Sequence, residues 1–202
     1  CNPLTVNFTN LSTQTDNNYT WYVNEVGAAG LGIPNTPNRP GYGFRYTFLN
    51  NTYNTVARYV ITLVVRDDNG SPVCESSFSD TVTVLPKPLA GFVRDKVNPS
   101  TLCSPTGMRF IGRGSQGASS YTWNFTDGSF PIFSTDTVPF FKTFFNNGTT
   151  ILPYGIELIV SNTFGCTDTA SETINIRPKV VAGATVDKLI GCSPLISNFT
   201  NT

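Results

Sequence analysis

Short β-branched and aromatic runs punctuate the chain: "TVNF" (5–8), "YTWYVN" (19–24), "VITLVV" (60–65), "TVTVL" (81–85), "YTWNF" (121–125), "IELIV" (156–160) and "TINI" (173–176). Gly, Pro, Asn and Asp bound them, which is how strands are delimited in a sequence. "DTVTV" and "ETINI" alternate polar and apolar residues, the two-residue period of a strand with one face buried. No stretch sustains the 3.6-residue period of an amphipathic helix. Strands recurring about every 10–15 residues predict antiparallel β-sandwiches.

The strand pattern is itself repeated. "CNPLTVNFTN" from Cys1, "CSPTGMRFIG" from Cys103 and "CSPLISNFTN" from Cys192 each place a proline two residues and a phenylalanine seven residues after the cysteine. These phenylalanines are Phe8, Phe110 and Phe199. "YTW" follows twice, each tyrosine 18 residues after its cysteine, and uses both tryptophans, Trp21 and Trp123. "CESSFSDTVTVLPKPLAG" from Cys74 aligns without a gap to "CTDTASETINIRPKVVAG" from Cys166. The starts lie 102 and 89 residues apart, a domain length and not a solenoid period. The expected division is a repeat over 1–86 that lacks its first strand, a repeat over 87–178, and the start of a third over 179–202. Both ends fall within the pattern, so the parent protein is expected to be longer.

Composition narrows the function. Charged residues make up 13%, with 13 basic and 13 acidic side chains and no histidine. That leaves no basic patch for nucleic acid or an anionic membrane. Without histidine, no Ser-His-Asp or Cys-His arrangement can be assembled, and no enzyme is expected. No cofactor is implied. The five cysteines include no CxxC pair, which argues against zinc and for disulfides in an oxidising compartment. Asp67, Asp68 and Asn69, or Asp127, offer part of a calcium shell, but their surroundings read as hairpin turns.

"SSYTWNFTDGS" (119–129) resembles the signature of PKD domains, immunoglobulin-like modules named from polycystin. Thr126 stands where that family usually has glycine. The first repeat carries a weaker version, "YTWYVNEVG". The family's Y-x-V-x-L-x-V strand is matched at Tyr59–Val65 and Tyr154–Val160, and its A-x-F first strand at Ala90–Phe92. The cysteine-x-proline starts and Gly165-Cys166 are similar to tandem repeats of giant surface adhesins and gliding-associated proteins of Bacteroidota, which are exported by type IX secretion. The resemblance implies an all-β chain of tandem immunoglobulin-like, PKD-type antiparallel sandwiches, with Trp21, Trp123, Phe8, Phe110 and Phe199 in the cores.

It also bears on the disulfides. The simplest pattern is one bond within each repeat, Cys1–Cys74 and Cys103–Cys166. In a PKD-like topology those partners fall at opposite poles of a sandwich. End-to-end stacking instead brings Cys1 to Cys166, a staple between neighbours, and leaves Cys74, Cys103 and Cys192 for partners outside the fragment. The staple is the pairing the resemblance favours, and the within-repeat pattern is its alternative.

The resemblance thus implies a structural spacer in a long secreted cell-surface adhesin or filament, projecting a distal tip in adhesion or gliding. Its expected partners are neighbouring repeats, lateral copies, and surface glycans or proteins, with no membrane insertion in this segment. The alternative is a carbohydrate- or protein-binding module beside an exported hydrolase. Its candidate rings are Tyr42 and Phe44, in the stretch 30–46, and Phe130 and Phe133, in 128–145, both of which read as aromatic loops. Thr81, Thr137 and Thr169 sit in Asp-Thr-aliphatic triplets that resemble the Bacteroidota O-glycosylation sequon.

Overall fold

The computed structural model describes residues 1–12, 18–26, 43–67, 73–95 and 102–201. It is all-β. The described strands are β1 (Leu4–Thr9), β2 (Asn18–Glu25), β3 (Gly43–Phe48), β4 (Ala57–Asp67), β5 (Cys74–Val84), β6 (Val93–Arg94) and β7 (Thr106–Ile111). Then come β8 (Ser120–Phe125), β9 (Ile132–Ser134), β10 (Phe140–Phe144), β11 (Leu152–Ser161), β12 (Thr167–Ile176), β13 (Ala184–Val186) and β14 (Phe199–Asn201). Every pairing between these strands is antiparallel.

Two separate cores form. Around the second, the sheet β12-β11-β8-β9 faces the sheet β10-β7-β6. The alternation in β8 turns Tyr121, Trp123 and Phe125 inward, against Ile156, Leu158 and Val160 of β11 and Phe110 of β7. Trp123 lies with its ring centroid 5.2 Å from Phe92 and 5.2 Å from Phe140, both edge-on. Burying a side chain of this size contributes roughly 1.5–3 kcal/mol. Around the first core, β2-β4-β5 and β1-β3 repeat this arrangement, with Trp21, Leu63 and Phe48 inside. The second core thus has seven strands around it, and the first has five among the described residues.

Equivalent polar stitches close both. Asn50 donates to the carbonyls of Thr55 and Val84, and Asn146 to those of Thr150 and Ile176. Both asparagines are buried, and these bonds spare their amides an unmet desolvation cost. Tyr59 and Tyr154 likewise donate their hydroxyls to the carbonyls of Leu49 and Phe145. The proline after each repeat-start cysteine follows a cis peptide bond, at Asn2-Pro3, Ser104-Pro105 and Ser193-Pro194.

Phe199, expected in a core, lies 78% exposed on the two-stranded β13–β14 ribbon. Two expectations need correction. The stretch 128–145 is not a loop, since it holds β9 and β10 and sends Phe144 into the core. The end of 30–46 is likewise strand, because β3 begins at Gly43.

Candidate functional site at the junction of the two cores

Proline punctuates the link between the sandwiches. After β5 the chain runs through Leu85, Pro86, Lys87 and Pro88 to Leu89, whose amide and carbonyl both bond Gln116 at 2.9 Å. The two prolines fix φ and remove two donors, so the connection has little torsional freedom of its own. Asn2 N donates to Leu85 O at 3.1 Å, which lays the residue after Cys1 beside the linker. Asn2 also exchanges two 2.8 Å bonds with the backbone of Asn50.

From the other side comes the β11–β12 hairpin. Asn162, buried, accepts from the amides of Phe164 and Cys166 through Oδ1 and donates from Nδ2 to Pro86 O at 2.9 Å. One side chain therefore shapes the hairpin and fastens it to the linker. Gly165, at φ +79°, makes the turn. The hairpin delivers Cys166 to Cys1, and the two form a disulfide with Cα atoms 5.7 Å apart across a sequence separation of 165. Leu85–Pro86, Asn162, Cys166, Cys1 and Asn2 so close a small ring, part covalent and part hydrogen-bonded.

Two more contacts fix the angle. Asp168 accepts from Lys87 Nζ at 2.6 Å and from Ala90 N at 2.8 Å. Its partial burial raises the carboxyl pKa, but the Ala90 amide and the Lys87 ammonium outweigh that and hold it below the usual carboxylate value. Gly117, at φ +67°, lies so close to the first sandwich that a Cβ there would stand 2.2 Å from the carbonyl oxygen of Tyr53.

The remaining expected sites are scattered. Cys74, Cys103 and Cys192 are exposed and unbonded. Trp21 and Trp123 are buried, as is Phe110, while Phe8 is half-buried against Trp21. Thr81, Thr137 and Thr169 are exposed. Phe130 and Phe133 are exposed at 92% and 75%. Phe44 lies on β3, and Tyr42, Asp68 and Asn69 lie outside the described residues. Asp127 is paired with Lys142 at 2.7 Å and caps the Ser129 amide, so its charge is already met. Among the described residues no group of acids and cysteines could hold a metal ion. No described helix is long and apolar enough to cross a membrane.

Asn162, Asp168 and Gly117 were not singled out by sequence reasoning. Asn162 had a usable signal, a polar residue four positions before a repeat cysteine, but its Pro86 partner is 76 residues away. No protein-family model and no curated protein matches the chain.

Proposed function

We propose that this chain is a segment of a tandem array of PKD-like sandwiches that acts as a rigid spacer in a long, secreted cell-surface adhesin or filament. The observation that carries this reading is the Cys1–Cys166 bond across the junction. A chain drawn out from its two ends transmits tension from Cys1 through the disulfide directly to Cys166. The 165 residue steps between them carry none of it. At about 3.5 Å per extended residue, roughly 580 Å of chain is withheld from stretching. Such a bypass suits a spacer under drag.

The junction would recur along the array. Ser104 N donates to Arg177 O at 3.1 Å, as Asn2 N does to Leu85 O, so Cys103 stands where Cys1 stands in its own repeat. In this reading Cys103 and Cys192 pair with cysteines of following repeats, and Cys74 with one upstream. Disulfides belong to oxidising compartments, which favours an extracellular place. The charge-poor surface, with Thr81, Thr137 and Thr169 exposed for glycans, suits a hydrated stalk. Material from a native host should then exceed 21.9 kDa by intact mass, and a bare mass would reject glycosylation of this segment.

Single-molecule pulling through handles at the two termini tests the spacer reading. Under oxidising conditions the chain should yield only the residues outside the closed loop. Reductant should release about 580 Å more contour length. Equal extension with and without reductant would remove the basis of the proposal. The binding-module reading rests on Phe130 and Phe133, whose exposed rings could stack on sugars. Glycan-array binding that disappears when both are alanine would favour it.

A further inference from the structure

The outer faces of the two longer sheets differ. In the second sandwich Trp123, Leu158 and Ile174 point inward from β8, β11 and β12, so their neighbours in sequence point outward. Asn124, Glu157 and Ser171 form one row across the three strands, each directly opposite the next. Asn124 Nδ2 donates to Glu157 Oε2 at 2.7 Å. One row further along, Gly155 stands opposite Thr173. Together with Thr126 these residues line a groove of about 400 Å³.

Gly155 is the unusual member. Glycine inside a strand marks a bulge, a bend, or a close approach of a ligand or another backbone. The β11–β12 register runs unbroken from Leu152 opposite Ile176 to Ser161 opposite Thr167, so no bulge is present. Nor is its φ positive, so the backbone there does not call for glycine. Thr126 leans over the gap, and a Cβ on Gly155 would stand 2.8 Å from the Thr126 methyl. Thr126 Oγ1 accepts from the Gly155 amide at 2.8 Å, which leaves its hydroxyl hydrogen to donate. The repeat sets Tyr22, Val60, Thr62 and Ser79 of the first sandwich where Asn124, Gly155, Glu157 and Ser171 stand in the second. Valine there replaces the glycine, and the Thr62 and Ser79 hydroxyls bond each other at 2.9 Å.

We infer that this groove of the second sandwich is a binding site for a neutral oligosaccharide. A sugar hydroxyl both donates and accepts, and the groove offers both kinds of partner. Glu157 Oε1 and Asn124 Oδ1 accept, while the hydroxyls of Ser171 and Thr173 do either. No lysine or arginine lines the groove, so an anion finds no counter-charge. Glu172, at its rim, is taken by Arg94, and a hard cation meets one carboxylate instead of the several it needs. Phe133 extends the site. It stands 75% exposed on β9 opposite Thr122, two residues from Asn124 on the same face of β8. That is about 8 Å across the sheet, a span for a chain of sugars with one ring stacked on Phe133. The site rests on the binding-module reading for its use of Phe133 and is independent of the spacer role.

Titration of the 202-residue chain with neutral oligosaccharides, followed by backbone amide chemical shifts, tests it. The probes are cellohexaose, xylohexaose, mannohexaose, laminarihexaose and N-acetylchitohexaose. At least one should bind saturably, with a Kd between about 0.1 and 1 mM. The shifts should centre on Asn124, Gly155, Glu157 and Ser171 and spare Tyr22, Val60, Thr62 and Ser79. Oligogalacturonate, an anion, should not bind. Glu157→Gln keeps the shape and should weaken binding about tenfold, the scale of a lost hydrogen bond to a charged group. Ser171→Arg, at an exposed position opposite Glu157, should fill the groove and abolish binding while the melting temperature holds. Binding that both variants keep, but that Phe130→Ala with Phe133→Ala removes, overturns the groove and leaves the binding-module reading standing. No saturable binding to any of the five sugars, or binding of the anion alone, overturns the site.

Discussion

The second sandwich buries Trp123 to 2% exposure and Phe110 completely, whereas the first leaves Trp21 at 7% and Phe8 half-buried. The cysteine, proline, phenylalanine and YTW anchors are shared, while the residues between them differ. A further difference is β6 and the turn before it, which supply Phe92 and Ala90 to one core and have no described counterpart at the other. A sandwich strand thus takes its burial from a neighbour that can be far away in sequence. The same residue type at the same repeat position is buried in both cores, a little less completely in the first.

Truncation of the tryptophans should break this comparison most visibly. Trp123→Ala should cost about 3–5 kcal/mol in denaturant unfolding, as large aromatic deletions in closed cores do. Trp21→Ala should cost less, because Trp21 is the less completely buried of the two. Equal losses would mean that the two cores are equally closed.

Cys1→Ser addresses the junction instead of the cores. Loss of a disulfide closing so long a loop should cost on the order of 2–4 kcal/mol. The change should fall on the junction, and limited proteolysis should then cut near Pro86–Pro88. An unchanged cleavage pattern would mean that Asn162 and the prolines suffice alone.

Phe92→Ala should make the second sandwich resemble the first, at about 2 kcal/mol for a half-buried aromatic. The same variant should raise the accessibility of Trp123 to acrylamide quenching. If quenching stays unchanged, Phe92 is not what closes that edge.

The smallest expected effect is that of pH at Asp168. Its carboxyl is depressed in the folded chain, so its contribution is fully present above the unfolded value of about 3.9 and disappears as pH falls through the lower folded value. With Lys87 partly in solvent, less than about 1 kcal/mol is at stake. Asp168→Asn should flatten this acid limb, visible as a smaller difference in melting temperature between neutral and strongly acidic buffer.

The period-two alternation of "TINI" and "DTVTV" is a local property, set by backbone pleat and side-chain polarity. So is the repeat of cysteine, proline, phenylalanine and tryptophan. Those marks located β1, β2, β4, β5, β8, β11 and β12 and the all-β class from residues alone. Phe144 and Phe48 escaped notice because their strands lie in aromatic, Gly- and Pro-flanked stretches whose composition is also that of a loop. Phe199 holds the motif position of Phe110 and is exposed on the β13–β14 ribbon. Which faces are covered, which cysteine meets Cys1, and that Asn162 grips a carbonyl 76 residues earlier depend on contacts between elements distant in sequence. The sequence by itself determined the strands and their repetition, because those depend on neighbours along the chain. Only the tertiary structure decided the hydrogen bonds of the junction and which faces are covered, because both depend on which strand ends beside which.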